Sequence, residues 1–276
     1  MRRKAALIGH PVSHSLSPRI HDYWMKEYKI NGAYEAIDAP PENLAETIER
    51  LRQDKNCVGF NVTIPHKINV MPFCDILDPL AESIGAVNTV IIGADGELAG
   101  TNTDAYGAIE NLRAQQPDWD GNRTKALVIG AGGAARAILY GLVNAGCKDI
   151  ILCNRTQDRA DMLAKTPFTQ GLVRTIPWMG LAGTIGGRTL VINTTSMGMK
   201  GQEPLVPDFS AAPDDMIIYD IVYAPLITPF LRAARGRGLK TVTGIGMLLH
   251  QARPAFQAWF GTLPDISPEL ERLVLS

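Results

Sequence analysis

Four short stretches of this chain gather polar side chains at the ends of apolar runs, where ligands of α/β domains lie beyond the carboxyl ends of strands. Ser15-Leu16-Ser17 offers alternate hydroxyls and the free N–H groups of a helix start, a set suited to holding a carboxylate; plain capping by Ser17 explains the same residues equally well. In Asn61-Val62-Thr63-Ile64-Pro65-His66-Lys67, an extended segment turns Asn61 and Thr63 to one side before a proline turn presents the Lys67 amine, although a lone lysine is usually a solvated surface group. Asn88, in Gly85-Ala86-Val87-Asn88-Thr89, opens an apolar strand to which its side chain is poorly suited, so either a hydrogen-bonding role or turn chemistry is needed to explain it. In Gly100-Thr101-Asn102-Thr103-Asp104, Thr103 or Asp104 serves either a ligand or the cap of the following helix.

A fifth stretch is built for phosphate. The apolar run Ala126-Leu127-Val128-Ile129 stops at Gly130-Ala131-Gly132-Gly133, a small-residue helix pattern runs from Ala134 to Val143, and a second strand pattern covers Asp149 to Cys153. Strand, glycine turn, helix and strand make the first half of a dinucleotide-binding unit. Gly130 permits the tight turn, Gly132 lets backbone approach a pyrophosphate, and Ala135 keeps helix and strand close. The helix start then offers free N–H groups to the phosphates. An NAD site usually has Asp or Glu after the second strand to accept from the ribose 2′-OH. Here Asn154-Arg155-Thr156 stands there, with Arg159 one helical turn on, and a guanidinium suits a 2′-phosphate that a carboxylate would repel. The expected cofactor is therefore NADP(H); the plainer alternative is a helix-opening Asn beside a solvated Arg.

The elements that must position these groups follow from periodicity. Strands are expected at residues 5–9, 34–38 and 57–64, with a helix opened by Ser17-Pro18 and carrying Ile20, Tyr23, Trp24 and Tyr28, and another with Leu44, Ile48 and Leu51 on one face. Asp78 to Ile84 reads as helix, and Val87–Ile92 with Glu97–Gly100 as a hairpin across Ala94-Asp95-Gly96. These first hundred or so residues alternate strand and helix without a phosphate turn of their own, as a separate α/β domain would. Asp104 to Gln116 connects, with Ala105, Ile109 and Leu112 on one side. Further strands are expected at 172–176, 190–193, 216–221 and 241–242, with glycine- and proline-rich interruptions at 180–187 and 198–207. A longer helix runs from Ile245 to a stop at Gly261; its Phe256 and Trp259 stripe fits core better than ligand surface, and the helix is placed to fold back onto the first domain.

The 276 residues suffice for two cored domains, and a net charge of −1 without a basic block argues against nucleic acid as the main partner. The four cysteines (Cys57, Cys74, Cys147, Cys153) lie in apolar runs without metal-ligand spacing, which predicts buried free thiols in a reducing compartment and no metal. Arg2-Arg3-Lys4 precedes an apolar run too short for a secretion signal, and no stretch has the length of a membrane span, so a cytoplasmic location is expected.

In this order, HSLSP, NVTIPHK, IGAVNT, GTNTD, GAGGAARA, NRT, DIVYAP and GMLLHQ resemble the shikimate dehydrogenase family across essentially the whole chain. The Ser-x-Ser loop, NVTIPHK and NTD are specific to that family, whereas the glycine turn is widely shared. The resemblance implies an α/β protein with a substrate domain at 1–104, completed by C-terminal helices at 245–276, a Rossmann-type doubly wound NADP-binding domain at 105–244, and a cleft between them. It implies reversible reduction of 3-dehydroshikimate to shikimate with NADPH, in aromatic amino-acid biosynthesis. By motif match, Ser15 and Ser17 hold the substrate carboxylate with help from Tyr223. Thr63, Asn88, Asp104 and Gln251 bind ring hydroxyls, with Asn61 in support, and Lys67 paired with Asp104 is the acid and base. The cofactor residues fall on Gly130, Ala131, Gly132, Gly133, Ala134, Asn154, Arg155, Thr156 and Arg159, with Ile221 and Gly244 at the nicotinamide end. A homodimer is a possible assembly. Departures are modest: Ala224 replaces a common Asn, His66 occupies a variable position, and Pro79 stands where some members carry an acidic residue.

The implied chemistry agrees with the residue types. As hydride reaches a ring ketone, charge grows on its oxygen, and an ammonium within hydrogen-bond reach stabilises that oxygen and delivers the proton. Two other readings compete: a quinate/shikimate dehydrogenase that also uses NAD, disfavoured by the lack of an acidic residue near Asn154, and a non-catalytic NADP(H)-binding regulator, disfavoured by the presence of both Lys67 and Asp104. Another cyclic-acid dehydrogenase is opposed by Ser15, Ser17 and Gln251.

Overall fold

The computed structural model describes residues 2–275 and divides into two compact units, Met1–Asp104 with Leu248–Ser276, and Ala105–Met247. In the first unit the chain runs β1 (Arg3–Gly9), α1 (Ser17–Glu27), β2 (Gly32–Asp38), α2 (Leu44–Gln53), β3 (Cys57–Val62), β4 (Ile76–Leu77), α3 (Pro79–Ile84), β5 (Thr89–Ile92) and β6 (Leu98–Thr101). They form one sheet in the order β2-β1-β3-β5-β6-β4. β1 pairs parallel with β2 and β3, whereas β5 is antiparallel to β3 and β6. The hairpin is where alternation placed it; β4, two residues long, is too short for any periodicity to show.

Apolar spacing accounts for the packing. Leu44, Ile48 and Leu51 of α2 are buried with Ile8, Phe60, Val62 and Val90 of the sheet. On α1, Ile20 and Trp24 are fully buried, and so are Phe256 and Trp259 beyond residue 248, which makes that aromatic stripe core. Tyr23 and Tyr28, on the same helical spacing, instead reach the C-terminal segment: the Tyr23 hydroxyl lies 2.8 Å from Ser267 Oγ, and the Tyr28 hydroxyl accepts from the Asp265 N–H at 3.0 Å.

His21 sits inside this aromatic core, stacked on Tyr34 with ring centroids 4.0 Å apart and planes 6° from parallel. Among the described residues neither ring nitrogen has a hydrogen-bond partner, and burial pushes its pKa down from 6.5 to about 3. The unfolded chain therefore takes up this proton more readily than the folded one. Stability from this residue is complete above pH 6.5 and is lost as pH falls from there towards 3. At pH 5 the loss is about 2 kcal/mol. Urea unfolding of wild type and His21→Leu at pH 7.5 and pH 5 should show the wild type losing about that much more than the variant on acidification. Equal losses in both would remove His21 as the source.

The second unit contains α4 (Asp104–Gln115), β7 (Lys125–Ile129), α5 (Gly133–Asn144), β8 (Asp149–Cys153), α6 (Gln157–Ala164), β9 (Val173–Ile176), α7 (Leu181–Ile185), β10 (Leu190–Asn193), β11 (Ile217–Asp220), α8 (Pro229–Gly236), β12 (Lys240–Val242) and the start of α9 (Ile245–Phe260). The unit boundary falls within α9, and α10 (Pro268–Leu275) ends the chain. The six strands are all parallel, in the order β12-β11-β10-β7-β8-β9. Strand order reverses direction at β7, the doubly wound arrangement whose switch point lies at the carboxyl ends of β7 and β10. Being covered on both faces, the strands are almost continuously apolar, as in Ala126–Ile129 and Leu190–Ile192.

One expected interruption is ordered instead. Within residues 180–187, Leu181 and Ile185, four apart and both buried, hold the short helix α7 despite the surrounding glycines. All four cysteines are free; Cys57, Cys147 and Cys153 are buried, whereas Cys74 is only half-buried. Burial pushes the thiols of Cys57, Cys74 and Cys153 up to about 11, so they remain protonated and inert. Among the described residues, no helix is long and apolar enough to cross a membrane.

Candidate active site

In the first unit, Lys67, Asn88, Asp104 and Gln251 converge although they are scattered over nearly two hundred residues of chain. Lys67 Nζ donates to Asp104 Oδ2 at 2.5 Å, with the lysine side chain 16 % exposed and the carboxylate 5 %. Removing such a pair from water is costly unless the remaining lone pairs are satisfied. Here Asn88 Nδ2 donates to Asp104 Oδ1 at 2.9 Å, leaving the carboxylate paired on both oxygens.

Asn88 is the hub. Its Nδ2 also lies 3.2 Å from Gln251 Oε1 and 3.0 Å from Thr103 Oγ1, and its Oδ1 accepts from the Thr103 backbone N–H at 2.8 Å. The misfit of an Asn at the head of β5 thus reflects hydrogen bonding across the sheet, not turn chemistry. Asn61, at 4 % exposure, donates to Thr89 Oγ1 at 3.0 Å and to the Asn88 carbonyl at 3.2 Å, which binds β3 to β5 beneath the pair.

Local backbone chemistry leaves the Asp104 carboxylate to meet Lys67 and Asn88. Asn102 Oδ1 accepts from the Asp104 N–H at 3.0 Å at the start of α4, so neither Thr103 nor Asp104 is spent as the cap. Lys67 is held by its main chain, whose carbonyl accepts from Val87 N–H at 2.7 Å, and by its neighbour His66, fully buried with Nε2 2.6 Å from the Ala39 carbonyl. Lys67 therefore emerges from an anchored turn and is not a solvated surface lysine.

The remaining first-unit residues lie less uniformly. Ser17 begins α1 itself and makes no side-chain cap, so the capping explanation of its hydroxyl fails; instead the Ser17 N–H donates to Ser15 Oγ at 3.3 Å. Pro18, directly after it, pre-sets the first helical turn. Ser15 and Thr63 are half-buried and retain exposed surface. β3 ends at Val62, two residues before the expected end at Ile64, so strand alternation does not reach Thr63. Tyr34 and Thr89 were not singled out by sequence as site residues, yet both belong to the network, as does Thr103. Thr89 stands beside flagged Asn88; Tyr34, in an ordinary apolar strand, carries no signal at all.

In the second unit the expected cofactor residues line the carboxyl edge of the parallel sheet. Gly130 follows β7 with φ of +112°, and a Cβ there would meet Thr194 Oγ1 at 2.5 Å, so only glycine fits this turn. Gly132 occupies the N-cap position of α5 with no side-chain cap, and a Cβ built on it meets nothing within 4 Å. The open space above Gly132 and the uncapped N–H groups of Gly133 and Ala134 fit a pyrophosphate. Ala131 is half-buried against the core of this unit. The polar run Thr194-Thr195-Ser196 after β10, overlooked in the sequence although it follows a buried strand, flanks the same turn, with Thr194 Oγ1 donating to the Ile129 carbonyl at 2.7 Å.

After β8, Asn154 Nδ2 donates to the Thr156 carbonyl at 2.9 Å, and Thr156, not Asn154, holds the N-cap position of α6. Arg155, Thr156 and Arg159 are exposed. Arg155 Nη1 lies 4.0 Å from Glu203 Oε2, both side chains more than two-thirds exposed, a pairing too weak to hold the guanidinium against an incoming phosphate. An exposed Arg155, held only weakly by Glu203, and an exposed Arg159 near the end of β8 fit a 2′-phosphate.

At the opposite side of this sheet edge, a Cβ on Gly244 would fall 2.2 Å from the Ile221 carbonyl, so glycine alone lets these two segments touch. Half-buried Tyr223 follows on the loop after β11. That loop is anchored by Asp220, fully buried, which accepts from Asn193 Nδ2 at 3.0 Å, from the Val222 N–H at 3.0 Å and from Thr228 Oγ1 at 2.6 Å. Burial pushes the Asp220 pKa up to about 6, against these three hydrogen bonds. Among the described residues, no grouping of three or more His, Cys, Asp or Glu is placed to hold a metal ion.

Residues 7–90 match the family described as shikimate dehydrogenase substrate binding domain, and residues 112–201 match that described as shikimate / quinate 5-dehydrogenase. A relative from Paramagnetospirillum magneticum named shikimate dehydrogenase (NADP(+)) is 48 % identical over 99 % of this chain and 98 % of its own length. Another of the same name, from Rhodospirillum rubrum, is 45 % identical over 99 % of this chain and 97 % of its own. Among solved structures, shikimate 5-dehydrogenase of Thermus thermophilus in complex with NADP(H) and shikimate superposes with a TM-score of 0.86 at 37 % identity, covering 99 % of this chain and 98 % of that one. Quinate dehydrogenase of Corynebacterium glutamicum in complex with NAD gives a TM-score of 0.88 at 29 % identity, covering 99 % and 97 %.

Proposed function

Because this chain belongs to the shikimate dehydrogenase family, we propose that its two units carry out one reaction, the reversible reduction of 3-dehydroshikimate to shikimate with NADPH, through the pair Lys67 and Asp104. The protein is an NADP-dependent oxidoreductase acting on a CH–OH group. The single observation that carries the residue assignment is the buried contact between Lys67 Nζ and Asp104 Oδ2 at 2.5 Å, set among amides and hydroxyls on three separate segments.

NADPH, held by the glycine turn and Arg155, supplies the hydride that reduces the ketone carbon. The chain's own groups do the rest. Ser15 and Ser17 receive the ring carboxylate, with Tyr223 in support, and Asn88, Gln251, Thr63 and Asp104 receive ring hydroxyls while Asn61 supports them. Lys67 donates a hydrogen bond to the ketone oxygen, stabilises the charge that grows there, and passes its proton to form the new hydroxyl. In the oxidative direction the same amine, once neutral, removes the hydroxyl proton. Asp104 holds the ammonium in place, so the amine spends no freedom on finding its geometry during the reaction. Ile221 and Gly244 make a backbone surface for the nicotinamide end, and the fixed Asp220 keeps the loop that bears Tyr223 in register. A biosynthetic reductase drawing on NADPH is suited to the cytoplasm.

Initial rates with shikimate and NADP⁺, against quinate and NAD⁺ in all four combinations, test this directly. Shikimate with NADP⁺ should be turned over far faster than the other three. A preference for quinate would overturn the substrate assignment, and a preference for NAD⁺ would overturn the role given to Arg155.

A further inference from the structure

We propose that Asn111 and Gln115, on α4, are positioning residues for the nicotinamide end of the cofactor: their side-chain amides hold the Thr243 peptide groups and so fix Gly244 against Ile221. The inference rests on the cofactor role proposed above for Ile221 and Gly244.

All of these residues lie in the second unit. The pairing of β11 with β12 ends at Tyr219 and Val242, so the N–H and carbonyl of Thr243 need partners from outside the sheet. Two side chains one turn apart on α4 supply them. Gln115 Oε1 accepts from the Thr243 N–H at 3.1 Å, and Gln115 Nε2 donates to the Thr243 carbonyl at 3.2 Å, the double exchange that a neighbouring antiparallel strand would make. Asn111 Nδ2 donates to the same carbonyl at 2.8 Å.

The two amides are also locked to each other and to the sheet. Gln115 Nε2 donates to Asn111 Oδ1 at 2.6 Å, and Asn111 Nδ2 donates to the hydroxyl of Tyr219, in β11, at 2.9 Å. Every amide proton of the pair thus has an acceptor, and each amide oxygen a donor. Neither amide can turn over: a reversed Gln115 would set its oxygen against the Thr243 carbonyl and Asn111 Oδ1. Asn111 is 1 % exposed, and a Cβ on Gly246 would fall 1.9 Å from its Oδ1, so α4 meets the start of α9 without slack. Gly244 is therefore held by its neighbour Thr243 on one side and by its close approach to the Ile221 carbonyl on the other. Ala108 and Leu112 of the same helix are apolar core, so filling space here does not require amides. An apolar pair at 111 and 115 would pack as well and would leave the Thr243 N–H and carbonyl without these partners.

Asn111→Leu keeps the approximate side-chain volume and removes the amide. The kcat/KM for NADP⁺ at saturating shikimate should fall about tenfold, because the nicotinamide is no longer held in its reacting position. Gln115→Met, at the half-buried end of α4, should act in the same direction and reports on the idea if Asn111→Leu does not fold. Adenosine 2′,5′-bisphosphate, which carries the 2′-phosphate but no nicotinamide, should inhibit wild type and variants with constants that agree within about twofold. Unchanged kcat/KM in either folded variant, or a weakening of the bisphosphate as large as the loss for NADP⁺, would overturn the inference while leaving the proposed function standing. A wild type that does not oxidise shikimate with NADP⁺ would overturn the functional assignment, and this inference with it.

Discussion

Lys67→Met is expected to lower kcat about a thousandfold, within the range contributed by a general acid, while the KM for shikimate changes little. Methionine matches the length of the lysine stem, so packing around the anchored turn of His66 and the Val87 hydrogen bond should be kept. What disappears is the cation paired with Asp104, which leaves a carboxylate 5 % exposed with a donor from Asn88. Part of the loss therefore arises from an uncompensated buried charge. The double variant Lys67→Met/Asp104→Asn distinguishes the two contributions. If the amine is the acid, neutralising Asp104 restores stability to thermal unfolding but not turnover. Undiminished kcat in Lys67→Met would remove the lysine from the reaction.

Arg155→Ala is expected to raise the KM for NADPH by roughly thirtyfold, in keeping with one or two charge-assisted hydrogen bonds at an exposed site, and to leave the KM for NADH nearly unchanged. The neighbouring Glu203, 4.0 Å away and highly exposed, competes only weakly for the guanidinium. Since an exposed interaction with a phosphate is screened, the preference of the wild type for NADPH should also shrink as ionic strength rises. Matching increases for both cofactors would mean that Arg155 supports the loop and does not touch the 2′-phosphate.

Much of the molecule was legible before any coordinates. The glycine turn at 130–133, the apolar strands on either side of it and Asn154-Arg155-Thr156 obey local rules of backbone conformation and charge, and these act over a few residues. The same holds for α2, whose buried face is set by Leu44, Ile48 and Leu51, and for the hairpin of β5 and β6. Local rules also misled where two of them competed. Ser17 looked like a cap because it precedes Pro18, yet the helix takes it as its first residue and its side chain makes no cap. Asp104 looked like a cap as well, and Asn102 performs that task. The glycine-bracketed segment at 180–187 read as an interruption of the pattern, although two buried side chains four apart were enough for a helical turn.

By themselves, the residues determined the fold class, the glycine turn after β7, the use of NADP(H) and, through ordered motifs, the family. Each of these depends on conformational limits or charges that neighbours in sequence share. Only the tertiary structure decided that Lys67 meets Asp104, that Asn88 joins Asp104 to Gln251, and that Tyr34 meets Asn61. Those contacts join side chains separated by 16 to 163 positions, and no local rule reaches so far. They exist because burying the apolar faces of the sheet and helices brings distant strand ends together, and because each polar group carried inside must then find a partner there.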